Sequence, residues 1–157
     1  MNHRLMATTR LLAIAAASGR VGSVFLVGDT LTYWQVSVKA AESPEEAAAH
    51  AQSLINDFWP DVIVTEEPGG VQHKGADTLA LIAAMARVAE DCGLLDVRVP
   101  RVQRFPNKYA EADALALRYP DLAPWKPVKR RFYEAEPRNT VLFEALALAD
   151  FMLNQRE

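Results

Sequence analysis

The sequence predicts an α/β fold: a mixed five-stranded sheet, built from an antiparallel meander and then βα units, with helices on both faces. Three observations carry this. Residues 11–38 hold three apolar, β-branched runs separated by short turn signals. From Ser43 onward, helical and strand patterns alternate. Asp61-Val62-Ile63-Val64-Thr65 is apolar enough to be buried on both faces, and it runs straight into Glu66 and Glu67. A meander followed by alternating βα units gives a mixed sheet covered on both sides.

The elements follow in order. Residues 1–9 lack periodicity and read as a flexible leader. Leu11 to Ala15 is a first strand, and Ala16-Ala17-Ser18-Gly19-Arg20 a small-residue turn. Val21 to Val27 is a second strand, Gly28-Asp29-Thr30 a hairpin signal, and Leu31 to Val38 a third strand. Arg4 and Arg10 ahead of Leu11 to Ala17 faintly imitate a secretory signal, but the apolar stretch is short and continues into a second strand pattern. Ser43-Pro44-Glu45-Glu46 is a capping box with proline at the first helical position, opening a helix to about Phe58. Pro60 stops it, and the fourth strand, Asp61 to Thr65, follows. A second helix spans about Asp77 to Asp91 with Gly93 at its end, and Val97 to Val102 is a fifth strand interrupted by Pro100. Asn107 to Tyr119 is a third helix, Pro124 to Glu136 an irregular basic segment, and Asn139 or Thr140 caps a last helix through Leu153.

Composition bounds the rest. The chain has 157 residues, half of them hydrophobic, which suits one domain with a real core. Cys92 is the only cysteine, which excludes an internal disulfide and a Cys-rich zinc knuckle and fits a reducing cytoplasm. His3, His50 and His73 are scattered, and no segment is long and apolar enough to span a membrane. The net charge of −3 hides a basic stretch: ten Lys and Arg between Arg98 and Arg138 face only five acids. Such asymmetry fits either a polyanionic partner or a solvated basic face.

Two acids at the carboxyl end of a buried strand lie where open α/β sheets place ligand crevices. Successive strand residues point to opposite faces, so one of Glu66 and Glu67 can serve such a site, and Glu66 is favoured. Residues 69–74 lack the Gly-Lys-Ser/Thr ending of a phosphate loop, since Gly75 follows Lys74. His73 and Lys74 are candidates for phosphate-backbone contact, or else parts of a solvated loop. Lys126, Lys129, Arg130 and Arg131, interleaved with Trp125, Phe132 and Tyr133, form the strongest nucleic-acid-binding candidate. The same aromatics are equally readable as core anchors.

The element order and three short motifs resemble the RNase H-like fold, and within it the RuvC Holliday junction resolvases. Leu12-Ala13-Ile14-Ala15-Ala16-Ala17-Ser18 with Gly22 is similar to the RuvC first strand, which ends in an Asp-Pro-Gly-Ser-type turn. Val64-Thr65-Glu66 is similar to the strand that brings the second acid, and Glu144-Ala145-Leu146-Ala147-Leu148-Ala149 to the acid-bearing last helix. The resemblance implies two-metal phosphodiester hydrolysis with Mg²⁺ or Mn²⁺ on branched or double-stranded DNA, and a homodimer matching the two-fold symmetry of a junction. It implies Glu66 and Glu144 as metal ligands, with Glu67 and Glu136 (or Glu134) as further catalytic candidates.

The chain departs from that pattern where the family carries its central acid. Ala15 stands at the first-strand Asp position, and Val141 lies where RuvC proteins carry another acid three residues before Glu144. Asp150 is about 120° around the helix from Glu144. Glu144 itself also reads as an acid favoured by the helix dipole. The resemblance therefore implies a nuclease impaired at its metal centre. The alternative is a catalytically degenerate module that binds nucleic acid or a protein. A small-molecule enzyme on an unrelated sheet rests on Glu66 and Glu67 alone.

Overall fold

A computed structural model describes residues 8–67, 74–100, 105–127 and 139–154. Its strands are β1 (Arg10–Ala17), β2 (Arg20–Val27), β3 (Thr30–Ser37), β4 (Val62–Glu66) and β5 (Leu95–Val99). Its α-helices are α1 (Pro44–Phe58), α2 (Ala76–Asp91), α3 (Lys108–Arg118) and α4 (Thr140–Leu153). The strands form one sheet in the order β3-β2-β1-β4-β5, antiparallel through the meander and parallel from β1 outward to β4 and β5.

Local chemistry sets the element ends. Ser43 Oγ accepts from the Glu46 N–H at 3.1 Å with Pro44 at the first helical position, the expected cap of α1. That helix ends at Trp59, a left-handed residue with φ 50°, whose side chain is exposed. The Arg10 guanidinium donates to the carbonyls of Phe58 and Trp59, closing the helix onto the start of β1. Asn107 Oδ1 accepts from the N–H groups of Tyr109 and Ala110 and so opens α3. Gly93, at φ 73°, turns the chain out of α2.

Several sequence expectations shift. The first strand continues two residues past Ala15 to Ala17 and the second starts at Arg20, so the turn shrinks to Ser18-Gly19. The fourth strand starts and ends one residue later than its apolar run, so Glu66 is its last residue. The fifth strand is Leu95–Val99 rather than Val97 to Val102, because Pro100 has no N–H for the ladder; residues 101–104 lie outside the described chain. A 3₁₀ turn, Pro120–Trp125, leads into the basic segment and takes its first two residues.

β1 divides the core, since its alternate residues face opposite sides. Leu11, Ala13 and Ala15 join Val62 and Val64 of β4 under α3 and α4. Leu12, Ile14 and Ala16 join Ile63 under α1 and α2. α4 is apolar almost all the way round and correspondingly buried. No helix among the described residues is long and apolar enough to cross a membrane.

Candidate functional site

The sheet has one topological switch point, between β1 and β4, where the chain stops building toward β3 and begins building toward β5. The two strands pair only as far as Ala13 with Val64, whereas β4 stays paired with β5 to Glu66 and Val99. Beyond Ala13 the carboxyl ends of β1 and β4 are no longer in register with each other. This is the crevice position of open α/β sheets.

Three elements face it from the α4 side. Ala15 on β1 is fully buried there. Glu66 follows Val62 and Val64 along β4, so its side chain takes the same face, and it is 3% exposed. Glu144 comes from the second turn of α4. Gly22 fixes the height of that helix: it pairs with Ala15 across the meander, and a Cβ on it would stand 2.6 Å from the Val141 carbonyl oxygen. Only glycine lets β2 and the first turn of α4 approach so closely.

Lys74 closes the group. Its Nζ lies 2.9 Å from Glu66 Oε1, 2.7 Å from Glu144 Oε1 and 2.6 Å from the Ala16 carbonyl oxygen. The contacts to Glu144 and Ala16 are hydrogen bonds, whereas Glu66 Oε1 is paired by charge alone, without an aligned donor among the described residues. The Lys74 side chain is 8% exposed and that of Glu144 12%. Two carboxylates this dry are costly without a cation, and the ammonium supplies one. Lys74, a candidate for phosphate contact by sequence, thus spends its charge inside the protein. Its position in a glycine-rich loop gave no sign of this, because its partners lie 8, 58 and 70 residues away.

The other candidates are distributed as follows. Glu67 is exposed and faces away, its N–H bonded to the Val99 carbonyl. Asp150 binds Arg118 and Tyr119 and stays clear of Glu144, as the helical spacing requires. Burial and the neighbouring Asp150 charge raise the Tyr119 pKa, so the phenol stays protonated and donates to that carboxylate. Lys126 is half-exposed and pairs with Asp113 at 3.2 Å. Trp125 packs edge-on against Trp34 with ring centroids 5.4 Å apart, an anchor for the segment it begins. Lys129, Arg130, Arg131, Phe132, Tyr133, Glu134 and Glu136 lie outside the described residues, as does His73.

The described residues alone do not make a two-cation centre. Such chemistry needs three or four converging acids; among the described residues Glu66 and Glu144 are two, the Ala15 side chain offers no oxygen, and an ammonium stands between the acids. Among the described residues no group of three His, Cys, Asp or Glu could hold a metal ion.

No protein-family model matches the sequence, and no curated protein matches it significantly. Solved structures do match. Thermus thermophilus RuvC in complex with a Holliday junction substrate superposes with a TM-score of 0.64 at 15% identity, covering 90% of each chain. The fowlpox virus resolvase bound to Holliday junction DNA gives 0.59 at 10% identity, covering 90% of this chain and 97% of the other. The yeast mitochondrial Holliday junction resolvase Ydc2 gives 0.50 at 13% identity, covering 96% of this chain and 80% of the other. At these identities the likeness speaks for architecture, and the chain has the RNase H-like fold of the RuvC-type Holliday junction resolvases.

Proposed function

We propose that this protein binds branched or double-stranded DNA through a resolvase-like fold and does not cleave it. The observation that carries the reading is the switch-point cluster. Ala15, Glu66 and Glu144 occupy one corner of the sheet, and the cation among them is the ammonium of Lys74. On this reading Ala15 replaces the acid that would bridge two metal ions, so Mg²⁺ or Mn²⁺ finds too few ligands for in-line hydrolysis. Glu67 and Glu136 are not needed in this scheme.

DNA affinity is assigned to the basic stretch, with Lys126, Lys129, Arg130 and Arg131 neutralising phosphates. What supports this is the local excess of positive charge and the fold shared with two resolvases solved on Holliday junctions. A homodimer matches the symmetry of such a substrate.

A four-way-junction assay with Mg²⁺ and Mn²⁺ tests both halves. The expected result is a salt-sensitive complex and intact strands. Charge reversal at Lys129, Arg130 or Arg131 should lower the salt slope by about one unit for every phosphate that is no longer neutralised. Cleavage by the parent chain would remove the inactive-site half. A folded triple charge-reversal variant that binds as well as the parent would remove the assignment of the basic stretch.

A further inference from the structure

We infer that Lys74 is a tethered substitute for a divalent cation, and that neutralising it uncovers a metal site made by Glu66, Glu144 and the Ala16 carbonyl. The inference rests on reading the switch-point acids as the remainder of a cation centre.

The geometry around the ammonium is that of a bound ion. Three oxygens from three different elements converge on Nζ at 2.6–2.9 Å, two of them as aligned hydrogen-bond acceptors and Glu66 Oε1 by charge alone. All three partners of the cation are hard oxygens, the set that Mg²⁺ and Mn²⁺ prefer over softer ligands. Glu66 Oε1 makes no aligned hydrogen bond with the ammonium, although it is buried and 2.9 Å away. A spherical ion would satisfy that oxygen without any angular demand.

The route by which Lys74 arrives matters as much. It stands one residue before Gly75, the N-cap of α2, and α2 packs on the opposite face of the sheet from α4. The side chain crosses where β1 and β4 cease to pair and reaches the α4 face. Its anchor at the start of a packed helix holds the ammonium at a high local concentration beside the two carboxylates. A free divalent ion has to displace this tethered charge before it can bind. The substitution also links α2, β1, β4 and α4 through one cation, so the metal's structural role is kept while its chemistry is lost.

Lys74→Met in the full chain is the test, with Mn²⁺ binding followed by electron paramagnetic resonance and stability by thermal melting. The Glu66→Gln/Glu144→Gln/Lys74→Met triple variant serves as the uncharged control. Removing the ammonium alone should lower the melting midpoint by about 10 °C. Saturating Mn²⁺ should then restore much of that loss, because a ligand that binds only the folded state raises its stability. The parent and the triple variant should show no saturable Mn²⁺ site and no shift. Three outcomes would overturn the inference: Mn²⁺ binding by the parent equal to that of Lys74→Met, a Lys74→Met midpoint that ignores Mn²⁺, or failure of Lys74→Met to fold with and without Mn²⁺. These are separate from junction cleavage by the parent, which tests the non-cleaving reading and not the latent site.

Discussion

The two faces of the sheet are built on different principles. Toward α1 and α2, β1 presents Leu12 and Ile14, and β2 presents Phe25, which stacks on Phe58 at 4.7 Å while Tyr33 packs on the same ring. Toward α4, the residues nearest the carboxyl end of β1 shrink to Ala13, Ala15 and Gly22, and a helix backbone comes down onto them. The first face is an ordinary jigsaw of large side chains. The second trades side-chain volume for backbone proximity, which brings Glu144 to the switch point. Lys74 belongs by chain position to the first face and by its contacts to the second.

Mutations on the two sides should therefore fail differently. Leu12→Ala, in the fully buried middle of β1, should cost about 3 kcal/mol, roughly the middle of the large-to-small core range. Denaturant melts should show that loss with junction binding unchanged, because the hole opens on the α1 and α2 side. A concomitant loss of binding in folded protein would mean that the faces are not independent.

Gly22→Ala should cost somewhat less, about 2 kcal/mol, since one methyl is forced against the immovable Val141 carbonyl. Its signature should be local, with α4 displaced and the Lys74–Glu144 pair loosened. Acylation of Lys74 by an amine-reactive activated ester, slow in the parent because the side chain is buried, should accelerate. Unchanged labelling at full stability would show that the close approach does not position Glu144.

The smallest expected effect concerns His50 on α1. Burial lowers its pKa below the ordinary 6.5, so the folded state resists the proton that the unfolded chain accepts. The unfolded state then binds more protons below about pH 6.5, and stability falls as the solution is acidified through that point. His50→Gln should flatten this part of the pH–stability curve, measured by melts between pH 7 and 5. A curve of unchanged slope would assign the acid sensitivity to other groups.

Much of this architecture was legible because local and global signals agree. The capping box at Ser43, the β-branched run before Glu66 and the glycines at turns each mark an element without outside help. Glu66 was separable from Glu67 by strand alternation alone, and Asp150 from Glu144 by helical angle. Lys74 was not legible. A lysine in a glycine-rich loop reads as solvated, and the cage that holds it comes from segments far apart in sequence. The fifth strand was misplaced for a simpler reason: its apolar run continues past Pro100, but its hydrogen bonding does not.

The position of β1 also dictates an order of assembly. It pairs at once with β2, yet its other neighbour, β4, begins about 45 residues after it ends, and α4 covers it only from Thr140 onward. At ribosomal speeds of about 5–20 residues per second, β1 is made roughly 7–27 s before α4 is complete. During that interval the α1 and α2 side can consolidate on nearby contacts, while Ala13, Ala15 and Gly22 remain a shallow strip of small residues. Leu11, Val24 and Leu26 lie on the same face and stay uncovered with that strip until α4 is made. The central strand is thus the first element made and the last to be covered, and its burial on that side waits on the far end of the chain.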